Sequence, residues 1–186
     1  RGSMEDDRGQ LFLQVMQVID IKKPKVVIFE NVKGFLSAKD DQGLFMPERL
    51  SNELDAHGYN TYWKLLNASD YGVPQNRQRV FIVGIRKDID KDFQFPDQLQ
   101  NKDELTVGSV INKPFPIDEE EEHWALSPQA IELQKFIPPG GSWKNVPYEH
   151  LPERLKKIRD DMQKYRSPNF YRRFDEHEVM GTITAA

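Results

Sequence analysis

Four apolar residues, Val26 to Phe29, run without a break and stop at Glu30 and Asn31. A short continuous run rich in β-branched residues reads as a buried parallel strand. In open α/β sheets, ligand chemistry gathers beyond the carboxyl ends of such strands. Glu30 therefore stands where a catalytic acid is expected, with Asn31 beside it and Gly34 permitting a tight exit. A second marked stretch, DYGVPQNRQRVFIVGI, spans Asp70 to Ile85, and there Arg77 and Arg79 lead on alternate positions into another apolar strand, Val80 to Ile85.

The elements around these strands follow from periodicity and punctuation. Arg1 to Gly9 is polar and loop-like. From Gln10 to Asp20, apolar residues at Leu11, Phe12, Val15, Met16 and Ile19 have helical spacing with one buried face. Pro24 closes that helix. Asp40 and Asp41 are candidate caps for a helix from about Leu44 to His57, with Phe45, Leu50 and Leu54 buried and Gly58 as its stop. Pro47 fits only in the first turn of that helix. Tyr59 to Leu66 reads as a strand, and Asn67 to Arg77 as a loop. The order helix, strand, helix, strand, strand predicts an α/β fold with part of a sheet and one antiparallel hairpin near its edge.

Texture changes after Lys87. Prolines recur, Asp118 to Glu122 is an unbroken acidic run, and short elements are expected at Leu105 to Ile111, Ser127 to Phe136 and, as a helix, from about Pro152 to Tyr165. The expected organisation is residues 1–92 as one α/β module and residues 93–186 as a smaller, loop-rich α+β region.

Charge narrows the partners. The formal net charge is −4, which argues against a polycation coating nucleic acid. Residues 1–88 hold 13 Lys/Arg against 12 Asp/Glu, and the remainder 13 against 18. Any phosphate contact must come from a local cluster, such as Arg154, Lys156, Lys157, Arg159, Lys164, Arg166, Arg172 and Arg173. An exposed helix face laced with ion pairs explains that cluster nearly as well. No apolar run approaches the ~20 residues of a membrane span, and no secretory leader is visible. The expected location is cytoplasmic if the source is bacterial, nuclear if eukaryotic, and not secreted. The sequence contains no cysteine, so it offers neither a disulfide nor a thiolate nucleophile or metal ligand. His57, His123, His150 and His177 share no metal spacing and read as surface histidines, so no metal is expected.

Each candidate has two readings. Glu30 is a proton donor if its carboxyl is held in a shielded pocket, where the charged form is disfavoured; taken alone, it is equally a solvated strand-end glutamate. Arg77 and Arg79 share a face if their segment is extended. They then hold a phosphate and a carbonyl, or they form a strand-entry salt bridge. Gln75 adds an amide contact or none. Pro138-Pro139-Gly140-Gly141 is a rigid turn, and Trp143 reads as packing before base stacking.

The stretch IFENVKGFL followed by NASDYGVPQNRQRVFIVGIR resembles the cytosine-5 DNA methyltransferase family. ENV matches the family's glutamate motif, and QNRQR its Gln-x-Arg-x-Arg motif. EDDRGQLF resembles the segment after the family's catalytic loop. FIPPGGSWKNVP and SPNFYRRFDEHEVMGTITAA resemble segments flanking its target-recognition region. The resemblance implies a partial Rossmann-like methyltransferase sheet followed by the recognition region. It also implies an enzyme that flips cytosine out of double-stranded DNA and methylates carbon 5 from S-adenosylmethionine. By that match Glu30 interacts with ring nitrogen 3, Arg79 binds the 2-carbonyl oxygen, and Arg77 braces the backbone or a closed loop. Asn31, Gln75 and Arg8 take DNA- or loop-positioning roles.

The family's Pro-Cys loop, its glycine-rich cofactor motif and its final asparagine-bearing motif find no match. The resemblance therefore implies the second half of a catalytic domain, inactive alone and partnered by an N-terminal half that carries the Pro-Cys loop and most of the cofactor site. Two other readings stay open: a non-catalytic DNA- or protein-binding module derived from such an enzyme, and part of a transfer-RNA cytosine-5 methyltransferase.

Overall fold

The structure is a computed structural model that describes residues 7–99, 105–114, 126–161 and 171–182, with the side chains of residues 7–13 left out. The acidic run Asp118–Glu122, His123 and residues 162–170, with Lys164 and Arg166, lie outside the described residues, as do the side chains of Arg8, Leu11 and Phe12. The chain is α/β and divides into two compact units: residues 1–71 with 77–100, and residues 72–76 with 101–186.

The first unit is built on a three-stranded sheet. Helix α1 (Asp7–Lys22) leads to strand β1 (Val26–Val32), helix α2 (Met46–Ala56) to β2 (Tyr59–Asn67), and β4 (Gln78–Arg86) enters between them, giving the order β1-β4-β2. Strand β3 (Gln75–Asn76) belongs to the other unit. Both outer strands run antiparallel to β4, with Glu30 opposite Phe81 and Leu66 opposite Arg79.

The expectation of a buried parallel strand at Val26–Phe29 is corrected here. β1 is antiparallel to its neighbour and lies at the sheet edge among the described residues; Val26 and Ile28 are exposed. A run without polar residues reads as buried on both faces, yet only Val27 and Phe29, on one face, pack into the core. The strand buried on both faces is β4, where Val80, Ile82 and Val83 are almost wholly enclosed.

The helices cover one face of the sheet. Met16 and Ile19 of α1 and Leu50 and Leu54 of α2 meet Val27, Phe29, Val80, Ile82, Tyr59 and Leu65. Truncating Leu54, which has no exposed surface, to alanine would cost about 2–5 kcal/mol. Helix α1 starts at Asp7, earlier than the polar composition of Arg1–Gly9 suggested. Helix α2 starts at Met46 with Pro47 in its first turn, and Phe45, not an aspartate, holds the cap position. Asp40 instead accepts from the Gln42 and Leu44 N–H groups, closing a loop, and pairs with Arg49 at 3.4 Å. Phe45 is exposed and does not join the buried stripe. Gly58, at φ +86°, ends α2 in the left-handed region that only glycine enters without strain. His57 is not a bare surface residue: Nδ1 lies 2.6 Å from the Glu53 carbonyl oxygen and Nε2 3.4 Å from Asp20.

Across the other sheet face runs the chain after β4. Phe93 meets Tyr62, Phe95 meets Phe93 edge-on at 4.9 Å, and the Tyr62 hydroxyl donates to Asp92 at 2.9 Å. That hydrogen bond raises the Tyr62 pKa. At the far end of β4, Arg86 bonds both the Lys23 carbonyl oxygen and Asp88, and the buried Tyr59 hydroxyl donates to the Pro24 carbonyl oxygen at 2.7 Å. The hydrogen bond from Arg86 holds the Asp88 carboxyl below the usual aspartate range.

In the second unit, helices α3 (Val107–Ile111), α4 (Pro128–Gln134) and α5 (Glu153–Asp160) are short, and β3 pairs in parallel with β5 (Met180–Gly181). Trp143 is buried among Leu133, Ile137, Val146, Leu151 and Leu155, which bears out packing as its use. Among the described residues of the basic cluster, Lys156 pairs with Glu153, Arg172 with Glu178, and Arg159 donates to the Trp143 and Lys144 carbonyl oxygens.

A β-carbon at Gly84 would lie 2.6 Å from the Val27 Cγ2 atom, and a β-branched neighbour cannot swing aside cheaply. Gly84→Ala should therefore lower stability by about 1–3 kcal/mol in urea unfolding. Gly34→Ala, with nothing within 4 Å of the new carbon, should be near neutral. Because the Asp88 pKa is depressed in the fold, its contribution is present above the ordinary aspartate pKa and is lost as pH falls through the depressed value. The acid-induced drop in melting temperature should be smaller in Asp88→Asn than in the parent chain.

Candidate active site

The carboxyl ends of β1 and β2 and the start of β4 meet at one end of the sheet. Because side chains alternate, Glu30 shares a face with Phe81 and Arg79, and Leu66 of β2 joins them from the other side. These residues, with Asn67, Ala68, Tyr71, Arg77 and Pro96, line a cleft of about 330 Å³. Glu30 lies inside β1 and not beyond its end, because Asn31 and Val32 continue the ladder with β4.

Glu30 and Arg79 touch. The Arg79 Nε atom lies 2.8 Å from Glu30 Oε1, and another Arg79 nitrogen donates to the Gln78 carbonyl oxygen at 2.8 Å. The register explains the pair: Arg79 sits two residues before Phe81, the residue opposite Glu30, so the two side chains are diagonal neighbours. Glu30 is 46% exposed, which corrects the expectation of a shielded carboxyl. Its strand has no neighbour on the outer side among the described residues, and nothing there excludes water.

Arg77 lines the same cleft and makes no ion pair among the described residues. Its backbone is held instead: the Arg77 N–H donates to Asn67 Oδ1 at 2.9 Å, and its carbonyl oxygen accepts from the Ala68 N–H at 3.1 Å. Two guanidiniums against one carboxylate leave the cleft cationic, suited to an electron-rich oxygen or an anion next to a hydrogen-bonding edge.

The other sequence candidates are placed elsewhere. Asn31 faces away from Glu30, opposite Val80, and its Oδ1 accepts from the Val32 N–H at 2.9 Å. Gln75 lies in β3 and pairs with Met180 in the second unit. Arg8 lies in α1. Among the described residues no group of three His, Cys, Asp or Glu could hold a metal, and no helix is long and apolar enough to cross a membrane.

Leu66, Asn67, Ala68, Tyr71, Phe81 and Pro96 are the lining residues that sequence reasoning missed. Phe81 was accessible in principle, since it continues the alternation Arg77, Arg79. Pro96 was not, because only the fold brings the chain after β4 back: Tyr71 donates its hydroxyl to the Pro96 carbonyl oxygen at 3.3 Å, and the Leu99 N–H donates to the Asp70 carbonyl oxygen at 2.9 Å.

A profile of the C-5 cytosine-specific DNA methylase family matches residues 1–184. The chain belongs to that family. The Type II methyltransferase M.NgoFVII of Neisseria gonorrhoeae is 30% identical over 190 aligned positions, which cover 98% of this chain and 48% of the relative. M.HhaI of Haemophilus parahaemolyticus is 44% identical over 93 residues, 50% of this chain and 28% of the relative. The chain thus spans about half or less of the length of these methyltransferases. Among solved structures, a DNA modification methyltransferase encoded within an Escherichia coli prophage is similar in fold, with a TM-score of 0.51, 19% identity and coverage of 97% of this chain and 59% of that one.

The exposed ion pair carries little of the fold's stability. A double-mutant cycle with Glu30→Gln and Arg79→Gln should return a coupling of about 0.2–1 kcal/mol in chemical unfolding, as exposed pairs do.

Proposed function

We propose that this chain is the part of a DNA (cytosine-5)-methyltransferase that polarises the target base, working with a complementary N-terminal half that carries the Pro-Cys loop and most of the cofactor site. On this reading residues 1–92 are the second half of the catalytic domain, with a partial Rossmann-like sheet, and residues 93–186 contain the target-recognition region. The observation that carries the proposal is the Glu30–Arg79 pair at 2.8 Å in a cleft that also holds Arg77, in a chain of this family.

The chemistry follows from where charge develops. When a nucleophile adds to carbon 6 of a cytosine, negative charge builds on ring nitrogen 3 and on the 2-carbonyl oxygen. Glu30 hydrogen-bonds or protonates nitrogen 3, and Arg79 binds the oxygen. The two atoms are adjacent on the ring edge, as the two side chains are adjacent on the sheet. A carboxyl group and a guanidinium fixed beforehand stabilise that charge without reorganisation. Arg77, whose guanidinium makes no ion pair among the described residues, braces a phosphate or the closed catalytic loop. Reaching such a cleft requires the base to leave the stack, and membership of a DNA methylase family supports double-stranded DNA as the substrate.

S-adenosylmethionine supplies the methyl group in this chemistry. The cleft does not fit that cofactor, because a sulfonium cation gains nothing beside two guanidiniums, and no residue here is assigned to hold it. Two features support the complementary half. β1 is paired on one edge only among the described residues, and Val26, Ile28 and Val32 are exposed on it, interrupted by Glu30. An unpaired, apolar edge strand is a surface that folded proteins cover. The proposed location is wherever the substrate DNA lies, the cytoplasm in a bacterial source.

The test is methyl transfer to DNA from labelled S-adenosylmethionine. The chain alone should be inactive, and a mixture with a separately made first half should be active. In the active mixture Glu30→Gln should lower kcat by about 10²–10⁴-fold, the range for a lost general acid, while DNA affinity persists. Full rates in that variant would overturn the assignment. Inactivity of a folded, associated mixture would favour the binding-module reading, which the absence of cysteine supports.

A further inference from the structure

The geometry points to Asn67 as a positioning residue for Arg77, a role that rests on the proposed use of the cleft but has its own structural basis. Strand β2 ends at Asn67 and the chain turns at once into a single 3-10 turn, Ala68–Tyr71. Strand β4 begins at Gln78, opposite Asn67. Arg77 therefore sits one residue outside the ladder, where regular pairing has stopped.

At that position a continuing antiparallel ladder would have residues 68 and 77 exchange two backbone hydrogen bonds. One of them exists, from the Ala68 N–H to the Arg77 carbonyl oxygen at 3.1 Å. The other is replaced: the Arg77 N–H donates to Asn67 Oδ1 at 2.9 Å. The amide of Asn67 is fixed in turn, because its Nδ2 donates to Ser69 Oγ at 2.9 Å, and Ser69 is buried. The side chain thus extends the ladder by one rung after the β2 backbone has left it. Without that rung the residue preceding β4 is held on its carbonyl side alone.

The consequence falls on the direction of a charge. Arg77 has no ion pair among the described residues to hold its guanidinium, so the aim of the side chain depends on the backbone it leaves from. The same turn also holds the opposite wall. Asp70 accepts from Leu99 N–H through its carbonyl oxygen and from Gln98 Nε2 through its carboxylate at 2.9 Å. Asn67 to Tyr71 is therefore the piece that fixes both Arg77 and the segment ending at Leu99. Asparagine suits the role because one short side chain supplies an acceptor to a backbone N–H and a donor to a neighbour.

The test has two readouts. In this chain, amide hydrogen exchange at Arg77 should quicken about five- to tenfold in Asn67→Ala, the factor that one lost hydrogen bond represents, with Val80 and Ile82 unchanged. Asn67→Asp, which keeps the acceptor, should retain most of the protection. In the active mixture with the first half, Asn67→Ala should lower kcat/KM for DNA by about 10²-fold, as misplacing a group that must meet the substrate or loop in one geometry does. Ser51→Ala is the matched control: it removes a side-chain hydrogen bond of 2.8 Å to the Pro47 carbonyl oxygen in α2, away from the cleft. Unchanged exchange at Arg77, equal loss of protection in the Asp variant, or a rate loss no larger than that of Ser51→Ala would each overturn the inference. Failure of the cleft's proposed chemistry reads differently, as full activity in Glu30→Gln with the exchange effect at Arg77 intact.

Discussion

Everything in the first unit hangs on β4 being the inner strand. It pairs on both edges, and its apolar residues serve both faces: Val80 and Ile82 face the helices, while Val83 is buried on the other side. Because side chains alternate, the placement that buries Val80 and Ile82 also turns Arg79 and Phe81 to the cleft side. A slip of one residue would exchange the two sets and put a guanidinium into the core. The hydrophobic pattern of β4 thus enforces the geometry of the charged site, and the ion pair with Glu30 is a consequence of the register more than its cause.

The elements of this unit were legible because their signals are local. Apolar spacing in α1, the proline and glycine that bracket α2, and the alternation through Arg77 and Arg79 each act within a few residues. Two things were not. The burial of β1 depends on how many neighbours the strand has, and a run such as VVIF carries no mark of that number. The cap of α2 was misassigned because Asp40 can satisfy either a helix end or a loop; its oxygens went to the loop amides and to Arg49.

The site divides along the same line. Glu30, Arg77 and Arg79 were found from strand ends and from period-two spacing, and the sheet brings all three to one cleft. Asn31 is adjacent to Glu30 in sequence, and for that reason it points to the opposite face. Asn67 and Pro96 escaped notice because their contributions are hydrogen bonds to backbone and a returning chain, neither of which leaves a compositional trace. The resemblance to cytosine-5 methyltransferases rested on motifs around these same residues, and the match of the family profile along the chain agrees with it.

The short strand β3 has a consequence for the order in which the molecule is assembled. Gln75 and Asn76 lie between elements of the first unit, yet their partner is β5, and Thr182 donates to the Asn76 carbonyl oxygen from 106 positions away. Closing so long a loop for a two-residue ladder is entropically costly. During synthesis this segment must leave the ribosome long before the strand it pairs with exists. The first unit can form its three-stranded sheet at that stage, with Gln75 and Asn76 waiting as an open bight. The second unit is thus completed last, because its β3–β5 ladder closes only when the chain has been made through residue 182.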